Sequence, residues 1–217
     1  MTTMIRPMLQ SVPHGRRAAP APTFAAAGVD HDRIERAVRE ILIAVGENPD
    51  REGLRDTPAR VARAYAESFA GLREDAGTHL TRTFEHAVTG DDAVIVRDID
   101  FASSCEHHLA PFLGRAHIAY LPSGGRVTGL SKLARTVDVF ARRPQLQERL
   151  TAQIADALVE HLQPRGVAVL IEGEHLCMQA RGAHKANATM VTTAMRGVYA
   201  GDRELRREVL ALLRSGA

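Results

Sequence analysis

Apolar positions from Asp30 onward fall at helical steps. Ile34, Val38, Ile41, Leu42 and Val45 recur three and four apart, and Gly46 supplies a stop. A polar, Pro/Gly-bearing turn, Glu47 to Asp56, follows. Thr57 as cap and Pro58 at the first position then predict a second helix to about Phe69, before Gly71. The period next changes to two. Ala93–Ile99 and Arg115–Tyr120 read as strands, the second alternating Ala116, Ile118, Tyr120 against Arg115, His117, Ala119. Two helices come after them. One has Ser131 as N-cap and Leu133, Val137, Phe140 and Ala141 on one face; the other begins near Pro144 and carries Leu146, Leu150, Ile154, Leu158 and Leu162. Val167–Ile171 and Thr189–Met195 read as neighbouring strands, and Asp202–Leu213 as a closing charged helix with Leu205, Val209, Leu212 and Leu213. This order predicts an α+β domain, a largely antiparallel sheet with helices on one face.

Composition changes the picture mainly at the N-terminus. Residues 1–28 hold Pro7, Pro13, Pro20, Pro22, many alanines, three arginines (Arg6, Arg16, Arg17) and no acid. Such a stretch reads as a flexible tail, and its basic, acid-poor character also fits an organelle transit peptide; no long apolar segment suggests secretion. The expected division is a tail over 1–28, a helical region over 29–72 and a sheet-bearing domain over 73–217. With 217 residues, 45% of them hydrophobic and 25% charged, the chain can bury roughly 70% of its unfolded surface, which excludes a disordered protein. The 28 basic residues nearly balance the 26 acidic ones, leaving no electrostatic footprint for nucleic acid. No apolar run approaches the ~20 residues that span a bilayer, so no membrane partner is expected. Two cysteines, Cys105 and Cys177, make no disulfide framework and fit a reduced, cytoplasmic setting.

Those cysteines carry the first chemistry. Both neighbour histidines, in Cys105-Glu106-His107-His108 and His175-Leu176-Cys177. Thiolate and imidazole are the ligands zinc prefers, and Cys105 with His108 can reach one ion from a single turn. Two sulfurs and a surplus of histidines suit a Cys₂His site with one open position, the pattern of a catalytic metal. Buried core cysteines beside surface histidines are the plain alternative. On the metal reading, His107 and His175 lie unligated beside the ion, where an acid or base near neutrality is useful.

Anion recognition has its own residues. Lys132 follows the proposed Ser131 cap, with Arg135 a helical turn later, so a helix N-terminus with two cations offers a phosphate cradle or simply a solvated helix end. Arg181, four residues after Cys177, brings another cation toward the metal. Gln147-Glu148 opens the second central helix. A carboxylate there can accept the paired N–H groups of a guanine edge, or serve as an ordinary first-turn acid.

Together these stretches resemble the zinc-dependent type of GTP cyclohydrolase I. The resemblance is carried by Cys105-Glu106-His107-His108-Leu109, Gly129-Leu130-Ser131-Lys132-Leu133-Ala134-Arg135, Arg143-Pro144-Gln145-Leu146-Gln147-Glu148-Arg149 and Glu174-His175-Leu176-Cys177-Met178, with Gly46 to Leu54 similar as well. It runs from about residue 30 to 213. It implies the tunnelling fold, strand–strand–helix–helix–strand–strand with a central helix pair, assembled as a toroidal homodecamer. The implied activity converts GTP and water to formate and 7,8-dihydroneopterin triphosphate, the entry to folate and tetrahydrobiopterin synthesis. Carried over position by position, Cys105, His108 and Cys177 bind Zn2+. His107 protonates the opening imidazole ring, His175 assists at C8 and the formyl carbon, and Ser131 contacts the ribose. Gln147 and Glu148 read the guanine edge, and Lys132, Arg135 and Arg181 hold the triphosphate, joined by Arg60 and Arg63 from a neighbouring subunit. Ala183-His184-Lys185-Ala186-Asn187-Ala188 departs from the family's usual Arg-Lys-Pro-Gly-Ser-like run and alters the loop just past Arg181. Two other readings compete: a tunnelling-fold enzyme on a related purine or pterin, or one stopping at the formyl intermediate; and a zinc-stabilised binding module without turnover.

Overall fold

The structure is a computed structural model that describes residues 28–85 and 92–214. The tail read over 1–28 therefore lies, apart from Gly28, outside the described residues. Helix α1 (His31–Ala44) starts where Asp30 accepts a hydrogen bond from the Arg33 N–H at 2.9 Å. It ends at Gly46, whose φ of +88° lets the N–H groups of Gly46 and Glu47 turn back to Ile43 and Leu42. Helix α2 (Thr57–Ser68) has Asp56, not Thr57, at its cap, and Pro58 in its first turn. A 3-10 turn (Ala70–Arg73), α3 (Gly77–Leu80) and β1 (Thr83–Glu85) lead to the sheet.

The main sheet comprises β2 (Val94–Cys105), β3 (Pro111–Leu121), β5 (Pro144–Gln145), β6 (Gly166–His175) and β7 (Met190–Gly197), in the order β5-β2-β3-β6-β7. All its pairings are antiparallel except the short β2–β5 contact. Strand β4 (Arg126–Thr128) pairs with β1 in a separate two-stranded ribbon. Helices α4 (Leu130–Ala141) and α5 (Gln147–Leu162) lie between β3 and β6 in sequence, so the expected strand–strand–helix–helix–strand–strand order is what the chain adopts. Short helices α6 (Leu176–Gln179) and α7 (Val198–Gly201) precede the last helix, α8 (Arg203–Arg214).

Leu133 and Val137 of α4 and Leu150, Ile154 and Leu158 of α5 are fully buried against Phe112, Ile118, Val169 and Ile171 of the sheet. Each such side chain contributes about 1.5–3 kcal/mol of burial energy. The opposite face is not open. Ala119, Leu121, Ala168 and Leu170 form a second core with Tyr199, Val209 and Leu213, so α7 and α8 cover the side that the sequence left bare. For that reason the polar phase expected on β3 fails: His117 and Ala119 are buried along with Ile118. Two further boundaries move. Gly129, not Ser131, is the N-cap of α4, and α5 starts at Gln147 because Pro144-Gln145 adds a strand beside Ser104-Cys105. Strands also run longer than the apolar runs that announced them. Opposite His117, β2 carries two residues, Arg97 and Asp98, and Asp98 takes φ +56°. This bulge bends β2 and increases its twist.

Candidate active site

Strand pairing brings the distant cysteines together. Cys105 ends β2, and the hairpin turn after it returns as β3, whose Phe112 lies opposite His175 at the end of β6. One residue further, α6 begins and carries Cys177. Two antiparallel ladders thus close a gap of seventy-odd residues. The turn is held by the N–H groups of His108 and Leu109 donating to the Cys105 carbonyl at 3.2 and 2.7 Å, with Leu109 at φ +52°. The Glu106 N–H donates to the Gln145 carbonyl at 3.0 Å, and the Glu106 carboxylate takes a two-pronged bond from Arg149 at 2.5 and 3.1 Å. That fork ties the turn to α5 and holds the Glu106 carboxyl below its usual range.

The ligand atoms of Cys105, His108 and Cys177 all lie within 4.8 Å of one another, and the Cys105 Sγ is 3.9 Å from His108 Nδ1. Tetrahedral zinc with S and N ligands places its donors ~3.6–3.8 Å apart, so the set fits such an ion after a small contraction. Cys105 is buried, Cys177 half-buried and His108 exposed. Burial and the adjacent Cys105 push the Cys177 thiol up, while Arg181 opposes the shift.

His175 stands beside this cluster on β6. Its ring lies flat against Phe112, centroids 4.4 Å apart and planes 6° from parallel. Its Nε2 is 2.9 Å from Gln147 Oε1. Burial lowers its pKa, and the charge of Glu148 opposes that shift. His107 is exposed next to His108, ring centroids 6.2 Å apart.

The remaining residues are placed unevenly. Glu148 is exposed at the start of α5, but Gln147 beside it is 1% exposed and turned inward. The resemblance pairs Gln147 with Glu148 at the guanine edge; in the structure the Gln147 amide is buried and takes its partners from β6 and β7. Ser131, Lys132 and Arg135 lie on the first turns of α4, Lys132 half-buried and the other two exposed. Arg181 is exposed past α6, at the head of the atypical 183–188 loop, where His184 takes φ +51°. On α2, Arg60 pairs with Asp56 at 3.3 Å and Arg63 is exposed. Three contributors escaped the sequence reading: Phe112 under His175, the Glu106–Arg149 fork, and Thr151 and Thr192 around Gln147. Strand parity could have found Phe112, which shares its face of β3 with Ala116, Ile118 and Tyr120.

Comparison with known proteins bears on this arrangement. The sequence model of the GTP cyclohydrolase I family matches residues 34–214. A protein named GTP cyclohydrolase 1 from Thermobifida fusca is 57% identical over 191 residues, covering 88% of this chain and 91% of its own. Its namesake from Corynebacterium aurimucosum is 60% identical over 187 residues, covering 86% and 94%. The Streptococcus pyogenes protein of that name is 59% identical over 186 residues, covering 85% and 94%. The motifs at both cysteines thus sit within a likeness that spans nearly the whole described chain, and the chain belongs to the GTP cyclohydrolase I family, as an enzyme of that type.

Proposed function

We propose that Cys105, His108 and Cys177 hold one zinc ion, beside which the imidazole ring of GTP is opened and its C8 released as formate. The observation that carries this reading is the convergence of two sulfurs and one imidazole nitrogen within 4.8 Å at the ends of β2 and β6. Bound there, zinc supplies the Lewis acidity that makes water a nucleophile near neutral pH. The chain's own residues do the rest. His107, exposed beside the ligand turn, delivers a proton to the ring nitrogen as the ring opens. His175 assists near C8 and the formyl carbon as water adds there. Glu148 accepts the N1 and N2 hydrogens of guanine, a pair that adenine lacks. Lys132, Arg135 and Arg181 hold the triphosphate, and Ser131 meets the ribose during rearrangement to 7,8-dihydroneopterin triphosphate, the entry to folate and tetrahydrobiopterin synthesis.

Assembly completes the site. The apolar stripe at the end of α1 finds little cover within the chain: Ile41 is 60% exposed, and Val45, just past the helix, 72%. An apolar stripe of that kind suits burial by another copy, which supports a homo-oligomer, a decamer by resemblance, in which Arg60 and Arg63 reach a neighbour's triphosphate. On this reading residues 29–72 serve assembly and 73–217 catalysis, in the cytoplasm. No described helix is long and apolar enough to cross a membrane. The test is formate release from GTP by metal-replete protein, with a chelator arm. Zinc near one per chain and chelator-sensitive release are expected; intact GTP with zinc bound overturns the reading.

A further inference from the structure

We propose that Gln147 is a positioning residue for His175: its amide decides which ring nitrogen carries the hydrogen and leaves Nδ1 as the lone-pair nitrogen for the reaction. This rests on the reading of His175 as catalytic. Gln147 Nε2 lies 3.1 Å from the Ile171 carbonyl, 2.9 Å from the Met190 carbonyl and 3.2 Å from Thr192 Oγ1. Carbonyl oxygens only accept, so the end of the amide facing them is the NH₂ group. The reversed amide would set its oxygen against two carbonyl oxygens in a buried site, losing both bonds and adding repulsion. Gln147 Oε1 must then face His175 Nε2, 2.9 Å away. An amide oxygen cannot donate, so His175 Nε2 carries the hydrogen. In the neutral ring, Nδ1 is left with the lone pair.

The surroundings lock this choice. Thr151 Oγ1 donates to the Gln147 carbonyl at 2.7 Å and stands 2.6 Å from Thr192 Oγ1. The single Thr151 hydrogen goes to that main-chain carbonyl, so in the Thr151–Thr192 contact Thr192 donates, and its oxygen stays an acceptor facing the Gln147 amide. Phe112 under the ring opposes its rotation. A Cβ at residue 173 would come within 2.4 Å of Gln147 Oε1, so Gly173 leaves the room the amide occupies. Nδ1 can then accept the proton released as water adds to the formyl carbon and pass it to the nitrogen as the C–N bond breaks.

The first test needs no variant of Gln147. Zinc-loaded full-length protein with ¹⁵N-labelled histidine is read by magic-angle-spinning NMR, His175 being assigned by difference against His175→Asn. Hydrogen on Nε2 and a bare Nδ1 are expected; the opposite tautomer overturns the proposal. The second test is a double-mutant cycle on GTP turnover. Gln147→Met should lower kcat about 100-fold, in the range of a lost acid–base contribution. Zinc stoichiometry and, to within about threefold, KM for GTP should hold, since the lost interaction acts on the reacting step. In a His175→Ala background the same substitution should add less than about threefold. A raised KM with kcat intact, or penalties that multiply, would show Gln147 touching the nucleotide itself and overturn the proposal. Should Gln147→Met fail to fold, the spectrum of the unaltered protein still decides. His175→Ala with undiminished kcat would sink the catalytic reading of His175 and this proposal with it; a slowed His175→Ala with the opposite tautomer sinks the proposal alone.

Discussion

The strand-end cluster and the exposed cations are built in opposite ways. Around Cys105, Cys177, His175 and Gln147, each side chain is fixed by its own chain: two ladders set the level of the strand ends, and Phe112, Thr151, Thr192 and the Glu106–Arg149 fork set the side chains. By contrast, Arg63, Arg135 and Arg181 stand exposed, and Arg60 leans on Asp56 of its own helix. The first group can exist in a lone protomer. The second acquires a geometry when substrate or another copy arrives. On the proposed function, orientation of the reacting groups is thus a property of the fold, and grip on the triphosphate a property of the assembly.

The sharpest break comes from the cluster. Cys177→Ser should remove the metal and lower formate release by at least about 1000-fold, beyond the roughly 10–100-fold cost of losing an outer-shell partner. Metal analysis and turnover check both halves, with the melting transition retained because Cys177 sits at the edge of the core. Metal kept at full stoichiometry would break the comparison at its root. Arg135→Ala should act differently. A charged hydrogen bond contributes about 1.5–3 kcal/mol, so KM for GTP should rise about 10–100-fold with zinc content unchanged. An unchanged KM removes Arg135 from the phosphate grip.

How far the sequence foretold each region follows the same divide. Periodicity announced α4 and α5, because Leu150, Ile154 and Leu158 must all meet the sheet. It missed the burial of His117 and Ala119, since a strand buried on both faces loses its alternation and the covering α8 lies ninety residues downstream. Cys105 and His108 were legible as candidate ligands because they share one turn, whereas nothing local joins Cys177 to them; the ladder register does that. The resemblance sets Gln147 beside Glu148 at the guanine edge, and spacing alone does not show that these two helix neighbours face opposite ways. The inward turn of Gln147 depends on two carbonyls, from Ile171 and Met190, whose place depends on β6 and β7.

Substitution on α1 sharpens the other side of the comparison. Ile41→Glu adds charge to a side chain that its own chain leaves 60% exposed, so the protomer should keep its zinc and melt within a few degrees of the parent. Light scattering should show a smaller particle, and formate release should fall at least about tenfold, the size of one lost charged contact to GTP, as Arg60 and Arg63 are withdrawn. An unchanged particle mass would show that the α1 stripe is not a contact between copies.

The smallest effect is on stability and tests whether the core stands by itself. His117 is 6% exposed on the face that α8 covers, accepts the Asp98 N–H at Nδ1 at 3.3 Å, and has its pKa lowered from 6.5 chiefly by burial. Asp98 and Glu172 raise it; Arg97 and Arg115 lower it further. Because the folded pKa lies below the unfolded one, the unfolded chain binds more protons in that window. The stabilisation is complete above about pH 6.5 and is lost as pH falls through the lowered folded value. His175 contributes with the same sign, so the informative measurement is a difference. His117→Gln keeps an acceptor for Asp98 and removes the titration. Its melting temperature should fall less than the parent's between pH 7 and 5. Exposed pairs such as Arg39–Asp50, at 2.8 Å, are common to both proteins and titrate lower, so they cancel. Equal slopes for the two proteins would mean that the bulge at Asp98 opens and lets water reach His117, and that the core beneath the site is less closed than the strand-end cluster requires.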